Sequence, residues 1–322
     1  MLKRGGFSLL KYIVKRLLQL IPILFAASIL IFALVRLSPS DPIASMTQGR
    51  HISEETREAL EKQYYLDRSY PEQYVIWIVN ALHGDLGDSF QYRQSVTSLI
   101  ADRLPTTLQL VIMSAVLALV IAIPIGVISA VKMNTALDRI LSVITLILVA
   151  SPVFLTGIVL MIVFALNLEL FPSFGTGYDF VSNLYYLFLP AMALSLNMVA
   201  LISRITRSNM IEQLNSNYAV TAVAKGIPYR KVVMKHCFKN ALIPVITVAG
   251  IQIGTMVVGA VLVENVFALG GLGDVLISGV KASDYPVVQG ITLMLVALFL
   301  VINLIVDIIY AFVDPRIRLG NG

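Results

Sequence analysis

The sequence predicts an all-helical membrane protein with six transmembrane spans, and its composition and charge spacing both indicate this class. Of the 322 residues, 57% are hydrophobic and 13% are charged, and the mean hydropathy is +0.84. A soluble domain carries roughly 25% charged residues, whereas about 20 uncharged, mainly apolar helical residues cross a bilayer core. Six stretches without Asp, Glu, Lys or Arg are long enough: Leu17–Val35, Leu104–Val131, Ile140–Leu168, Phe180–Ser203, Asn240–Val263 and Tyr285–Val306.

The first stretch resembles a signal peptide because five basic residues precede it. Its apolar run extends to Val35, longer than the 7–15 residues typical of a signal peptide, and no convincing small-residue cleavage site follows. We therefore expect an uncleaved first span over 17–36, after a cytoplasmic segment over 1–16.

The basic residues predict the orientation, since Lys and Arg accumulate on the cytoplasmic side of membrane proteins. Placing both termini in the cytoplasm puts 16 of the 24 basic residues inside, and seven of the other eight fall in one long external segment, Arg36–Arg103. We expect a permease-like core over 104–313 and a cytoplasmic tail over 314–322. The net charge of +5 then follows from topology and gives no reason to expect nucleic acid.

Residues 37–103 form a long external insertion with the signals of short helices. Ser53 can cap one helix, and Pro71 suits the first turn of another. Gly84–Asp88 reads as a series of turns. The insertion is either a structural plug over the span ends or a docking surface for a partner that arrives from outside.

The cytoplasmic loop 204–239 is longer than a turn between two spans requires. A short helix ends at Gly226, which suits a left-handed backbone, and Pro228 begins a second helix that reaches about Phe238. The sequence predicts a helix–turn–helix at the membrane surface. Alternatively, the loop rests on anionic membrane lipid through Lys231, Lys235 and Lys239.

The last span carries a polar stripe that includes Asn303 and Asp307. A carboxylate within lipid costs a few kcal/mol, so it should face protein or water. Asp307 is either a gating residue in the solute pathway or a buried anchor paired with an Arg or a hydroxyl near the cytoplasmic surface.

Several function classes find little support in the residues. Cys237 is the one cysteine, no zinc-ligand spacing occurs, and the chain has no GxxxxGK[ST] motif for nucleotide. A membrane-embedded protease or other enzyme would need a Ser–His or Asp–Asp pair within the bilayer, but no His lies in a predicted span and no second Asp accompanies Asp307 there. A secondary transporter, the alternative from another class, would need ionisable residues near the midplane, and Asp307 is the one charge within the spans.

Short motifs along nearly the whole chain resemble the B-type permease subunits of the dipeptide, oligopeptide and nickel ABC importers, which implies a type I importer permease fold. The motifs are Gly84-Asp85-Leu86-Gly87, Ser89-Phe90, Arg103-Leu104-Pro105-Thr106-Thr107-Leu108, Ser151-Pro152-Val153-Phe154, Leu170-Phe171-Pro172, Ala224-Lys225-Gly226, Asn240-Ala241-Leu242-Ile243-Pro244, Asp284-Tyr285-Pro286-Val287-Val288-Gln289 and Asp314-Pro315-Arg316.

The resemblance implies that loop 204–239 docks into an ATPase subunit. The implied coupling residues are Ala222, Ala224, Lys225, Gly226, Ile227 and Pro228. Val220 and Thr221 replace the commoner Glu and Ala of this motif, and Lys239 stands where many members have Pro, so no carboxylate at 220 serves the contact.

The resemblance also implies the partners and the location. They are a second homologous permease, two ATP-binding-cassette ATPases that hold ATP and Mg²⁺, and an extracytoplasmic solute-binding protein, with this multi-pass chain in the cytoplasmic membrane of a prokaryote. This chain is then expected to hold no cofactor and to catalyse no reaction. The expected solute is a small peptide, with nickel or a metal chelate as the alternative.

Single cysteines test the topology after Cys237 is replaced. We expect Gln48→Cys and Gln94→Cys to react with an impermeant thiol reagent in intact cells or spheroplasts, because both lie in the external insertion. Asn321→Cys should not react. Labelling of the C-terminal site in sealed cells would contradict the six-span topology.

Overall fold

The computed structural model describes residues 4–37, 42–47 and 50–313, and this part of the chain is helical without a β-strand. The predicted tail over 314–322 lies outside these residues. The helices are α1 (Arg4–Arg36), α2 (Pro42–Met46), α3 (Glu54–Gln63), α4 (Tyr70–Leu82), α5 (Val96–Val131), α6 (Ala136–Ala150), α7 (Val153–Leu160), α8 (Phe180–Leu214), α9 (Asn217–Ala224), α10 (Tyr229–Lys231), α11 (Phe238–Phe267), α12 (Leu272–Lys281) and α13 (Tyr285–Val313).

Five of the described helical segments are long and apolar enough to cross a membrane, and one bent pair makes six if it crosses as a single span. The bend lies within the span expected over 140–168. α6 and α7, with the π-helix Met161–Asn167 that continues α7, meet at an angle of 111°. Ser151 has an extended backbone (φ −85°, ψ 126°) because the proline after it disfavours the helical conformation.

The spans also extend beyond the uncharged stretches. The predicted surface helix over 228–238 is instead the beginning of a long helix, since α10, a π-helix over Val232–Cys237 and α11 run together from Tyr229 to Phe267. Its basic residues face outward while Val232 and Val233 are buried. α5 begins at Val96 rather than at 104, and α1 begins at Arg4 rather than at 17. Charged residues therefore lie inside these helices and do not mark where they begin.

α8 lies at the centre of the bundle, and its contact with α5 is the most extensive between described helices. Small residues permit this approach: a Cβ at Gly126 would collide with the Thr206 side chain and the Ser203 carbonyl. Lipid is as apolar as leucine, so helices in membranes associate through close packing of small residues rather than by hydrophobic burial. Alanines such as Ala118 and Ala191 are fully buried in this core.

The external insertion is helical, as predicted. Ser53 Oγ accepts a hydrogen bond from the Thr56 N–H at 3.2 Å and caps α3, and Pro71 lies in the first turn of α4. α4 packs on the outer part of α1 through aromatic rings, with Tyr74 5.5 Å from Phe32 between centroids. These contacts place the insertion over one end of the bundle.

An ion pair with a buried carboxylate joins the first turn of α6 to α8. Arg207 donates from Nε and Nη2 to the two carboxylate oxygens of Asp138 at 2.7 and 2.8 Å. The hydroxyl of Ser129 and the backbone N–H of Asn134 each add a hydrogen bond of 2.9 Å. The Asp138 side chain is 5% exposed. Every oxygen of this carboxylate is therefore satisfied away from water.

A second ion pair is looser. Arg16 Nε lies 3.3 Å from Asp307 Oδ2, and the two side chains are 43% and 32% exposed. It joins α1 to α13. Exposed pairs of this kind contribute about 0–1 kcal/mol.

The two pairs make a matched test of stability. We expect Asp138→Asn to destabilise the protein by about 1–3 kcal/mol, because Arg207, whose side chain is 30% exposed, loses the buried carboxylate that accepts its two hydrogen bonds. Asp307→Asn should cost about 1 kcal/mol or less, since its partner can be hydrated. Thermal unfolding midpoints of the purified complex in detergent measure both. Equal losses would show that the Asp138 pair is not a buried structural contact.

Candidate functional site

The short helix α9 ends in a hydrogen-bonded cap that fixes the backbone of the loop after it. Gly226 has φ +77°, which confirms the predicted left-handed backbone. Its N–H donates to the Val223 carbonyl at 2.9 Å, and the N–H of Ile227 donates to the Ala222 carbonyl at 3.2 Å. These two bonds form a Schellman motif, which satisfies the last carbonyls of a helix.

An apolar cluster holds this loop against three long helices. Its buried members are Ala130, Met210, Ala219, Val232, Val233, Cys237 and Ala241, and Ala222 and Ile227 pack against them half-buried. These buried residues lie in α9, at the C-terminal ends of α5 and α8, and in the first turns of the helix that runs from Tyr229 to Phe267. A force on the loop is therefore transmitted to the ends of three spans, because packed side chains resist compression.

The outer face of the loop is exposed and mostly apolar. Val220 and Val223 are 60% and 49% exposed. Ala224, Lys225 and Gly226 are exposed beside them, as is Pro228. Ala222 was expected among the contact residues, but its side chain faces the protein's own cluster. Val220 and Val223 thus offer a partner more side-chain surface than Ala222 does.

The two polar residues predicted in the last span take part in helix packing. Asn303 donates to the Phe299 carbonyl at 3.0 Å, and its side chain lies against Gly254 of α11, where a Cβ would not fit. Asp307 is paired with Arg16. Both arrangements suit anchors between helices. Neither residue belongs to the apolar cluster that holds the 222–228 loop.

Sequence reasoning missed a buried carboxylate at the opposite end of the bundle. Glu264 is fully buried, and its Oε2 accepts a hydrogen bond of 2.7 Å from the N–H of Gly273 at the beginning of α12. A Cβ at Gly271 or Gly273 would collide with this side chain. The run Gly270–Gly273 leaves room for the carboxylate. The apolar spacing of Leu272, Val275 and Gly279 was the available signal for the helix after it.

Comparison with known proteins shows similarity over nearly the whole chain. Residues 122–319 match the family described as "binding-protein-dependent transport system inner membrane component", and residues 9–111 match the N-terminal family of such membrane components. A putative peptide permease protein of Brucella suis biovar 1 is 41% identical, with 96% of this chain and 99% of that protein covered. The oligopeptide transport system permease protein AppB of Bacillus subtilis is 39% identical, covering 95% and 99%. The dipeptide transport system permease protein DppB of Escherichia coli K12 is 34% identical, covering 96% and 99%.

A solved structure shares the fold. An inward-facing conformation of the MetNI methionine ABC transporter aligns with a TM-score of 0.56 at 21% sequence identity, and covers 67% of this chain and 96% of that one. The type I importer permease fold expected from the motifs is confirmed. Because the family match covers more than half of the chain and the helices cross a membrane repeatedly, the chain belongs to the inner-membrane components of binding-protein-dependent transport systems, as a multi-pass protein of the cytoplasmic membrane.

Proposed function

We propose that this chain is the permease subunit of an ATP-binding-cassette importer for small peptides, and that it forms half of the solute pathway. The observation that carries the proposal is the capped loop at 222–228, which projects an apolar face from the ends of three long helices. The family match supports transport dependent on a binding protein. The relatives that are named as peptide permeases support a peptide as the solute.

The loop supplies the coupling. An ATPase subunit docked on Val220 and Val223 would push on a segment whose backbone is held by the cap at Gly226. The apolar cluster behind it would carry that motion into the spans, so that access alternates between the two sides as rigid helices tilt. ATP and Mg²⁺ would be bound and ATP hydrolysed in the two partner ATPases, because the family consists of membrane transport components rather than enzymes.

The exposed apolar surface of α6 is a candidate contact surface for the second permease. Of the residues of α6, Asp138 and Thr145 are buried, while apolar side chains such as Ile140 and Ile147 are more than half exposed. A helix exposed on so many sides suits a chain that is half of an assembly. A homologous permease would cover part of this surface, lipid would cover the rest, and the binding protein would deliver solute from the external side.

Gly226→Val tests the coupling role. A β-branched residue at φ +77° costs about 1–2 kcal/mol or more, while the added side chain meets nothing within 4 Å. We expect insertion to be normal and ATPase co-purification to fall by about tenfold, together with uptake. Gly175→Val is the matched control, since Gly175 has φ +84° and equally open space at the other end of the bundle. Full ATPase binding by Gly226→Val would contradict the assignment.

The lipid alternative makes a different prediction for the exposed basic residues near the loop. If the loop rests on anionic lipid, replacing Lys231, Lys235 and Lys239 together by Gln should reduce ATPase co-purification and uptake more than Gly226→Val does. Under the coupling proposal the ranking is reversed. Co-purification of the ATPases with each variant, measured from the same membranes, decides between the two.

The solute is tested with the purified complex and its binding protein. We expect a short peptide to stimulate ATP hydrolysis several-fold over the complex with ligand-free binding protein. Nickel and a nickel chelate are the comparison ligands, since some permeases with similar motifs carry metal. Stimulation by metal or chelate alone would overturn the peptide assignment while leaving the importer proposal intact.

A further inference from the structure

A cavity of about 370 Å³ opens at the end of the bundle opposite the 222–228 loop. Its walls come from the outer end of α1, from the α3–α4 insertion, from the turns at Gly84–Asp88 and from the beginning of α13. Cavities that bind small molecules in proteins measure roughly 300–1,000 Å³. The turns and the first residues of α13 belong to motifs that the proposed coupling mechanism does not use.

Unsatisfied polar atoms are concentrated in this cavity. Among the described residues, six buried side-chain nitrogen or oxygen atoms have no hydrogen-bond partner, and four of them belong to residues lining it. These four are Arg36 Nε, Gln73 Oε1, Trp77 Nε1 and Gln289 Nε2. Buried polar groups in proteins are nearly always paired, so such a cluster indicates a ligand or water that completes it.

The two glutamines are built into the wall rather than mobile at the surface. Gln73 and Gln289 are each 5% exposed. The Gln73 amide nitrogen donates to the Arg68 carbonyl at 2.8 Å, which fixes the orientation of the amide and leaves its oxygen as an acceptor. Gln289 contributes an N–H donor from the first turns of α13. The cavity thus offers one acceptor and several donors in set positions.

Charge is arranged by depth. The guanidinium of Arg36 is half-buried and lies 5.3 Å from the centre of the buried Phe32 ring. The carboxylates of Asp85 and Asp88 are on exposed residues of the same lining. A ligand with a carboxylate directed inward and an ammonium group directed outward would meet the opposite charge at each end. Charge-assisted hydrogen bonds of this kind are about twice as strong as neutral ones.

Aromatic rings form the apolar part of the wall. Trp77 lies 6.1 Å from Phe32 between ring centroids, and Tyr64 meets Phe90 edge to face at 5.6 Å. Rings placed beside a few convergent polar groups are typical of sites that bind small amphiphilic molecules. An apolar or aromatic side chain on the ligand would pack here.

We propose that this cavity binds a small zwitterion with an apolar or aromatic side chain, of the size of a dipeptide. Its carboxylate accepts hydrogen bonds from Arg36, Trp77 and Gln289, its amide N–H donates to the Gln73 oxygen, and its ammonium group faces Asp85 and Asp88. The site lies away from the coupling loop and is additional to the pathway shared with a second permease. The choice of a peptide as ligand rests on the proposed function, whereas the site rests on the cavity and its unpaired groups.

Binding is measured on the complete permease–ATPase complex in nanodiscs without binding protein, using L-alanyl-L-phenylalanine as the probe. Trp77 is the only tryptophan of this chain. The fluorescence difference between the wild-type complex and one carrying Trp77→Phe therefore isolates the cavity from tryptophans of the partner subunits. Equilibrium dialysis with the tritiated dipeptide gives the affinity independently of fluorescence. We expect saturable binding and a change in Trp77 emission.

Arg36→Gln and Gln289→Leu should each weaken dipeptide binding by about tenfold or more, because each removes a donor to a buried carboxylate. Arg93→Gln is the matched control and should bind as wild type, since Arg93 is exposed on the same insertion and does not line the cavity. The C-terminal amide of the dipeptide should also bind about tenfold more weakly. Size-exclusion profiles establish that each variant complex is assembled.

Absence of saturable dipeptide binding to the wild-type complex would overturn this inference, as would equal affinities for Arg36→Gln, Gln289→Leu and Arg93→Gln. Neither result would affect the proposed function, which is measured separately by peptide stimulation of ATP hydrolysis with the binding protein present. Conversely, a complex that binds the dipeptide in this cavity but is not stimulated by any peptide-loaded binding protein would retain the site and refute the peptide as the transported solute.

Discussion

The close approach of α5 and α8 is the contact on which the rest of the molecule depends. Gly126 admits the backbone of α8 at Ser203, and the buried pair of Asp138 with Arg207 lies at the same end of the two helices. Lipid supplies no hydrophobic drive between helices, so packing of small residues and satisfied polar contacts must hold them. A side chain at 126 would separate the helices and misplace the ion pair, the end of α8 and the loop that follows it.

This arrangement explains how a short surface loop can act on a membrane-embedded core. α9 contributes little apolar area of its own, but Ala219 and Ile227 pack onto residues from the ends of α5 and α8. The cap at Gly226 removes backbone freedom that would otherwise absorb a push. Rigidity in the loop and close packing in the core are both requirements of the coupling proposed here, in which movement of an ATPase tilts the spans.

The two ends of the protein differ in the polarity of their surfaces. At the loop end, the exposed face is apolar and shaped by backbone hydrogen bonds, which suits contact with another protein. At the other end, the insertion carries aromatic rings, buried amides and charges of both signs around a cavity. Polar atoms left unpaired there cost free energy, and the fold retains them. Glu264 combines both features, since its Oε2 accepts from the N–H of Gly273 at the beginning of α12 while its Oε1 has no hydrogen-bond partner.

Local features were readable from the sequence where the cause is local. The helix cap at Ser53 and the left-handed Gly226 depend on neighbouring residues, and both were predicted. The continuation of the helix from Tyr229 through the basic residues was not, because a helix can carry charges on one face while the other is buried. Pro152 in the sequence marks the place where the helix breaks. The 111° angle between α6 and α7 could not be predicted, because packing against α8 and α11 sets the direction of these helices.

The sequence by itself determined that this chain crosses the membrane repeatedly as helices, because uncharged length is a sufficient condition for a span. It also determined the capped loop after α9 and the helical insertion. Tertiary structure alone decided which polar groups meet: Asp138 with Arg207, Glu264 with Gly273, and the unpaired groups that surround the external cavity. These partners are separated by 9 to more than 200 residues in the chain, and the folded packing of the helices alone brings them within hydrogen-bonding distance or around one cavity.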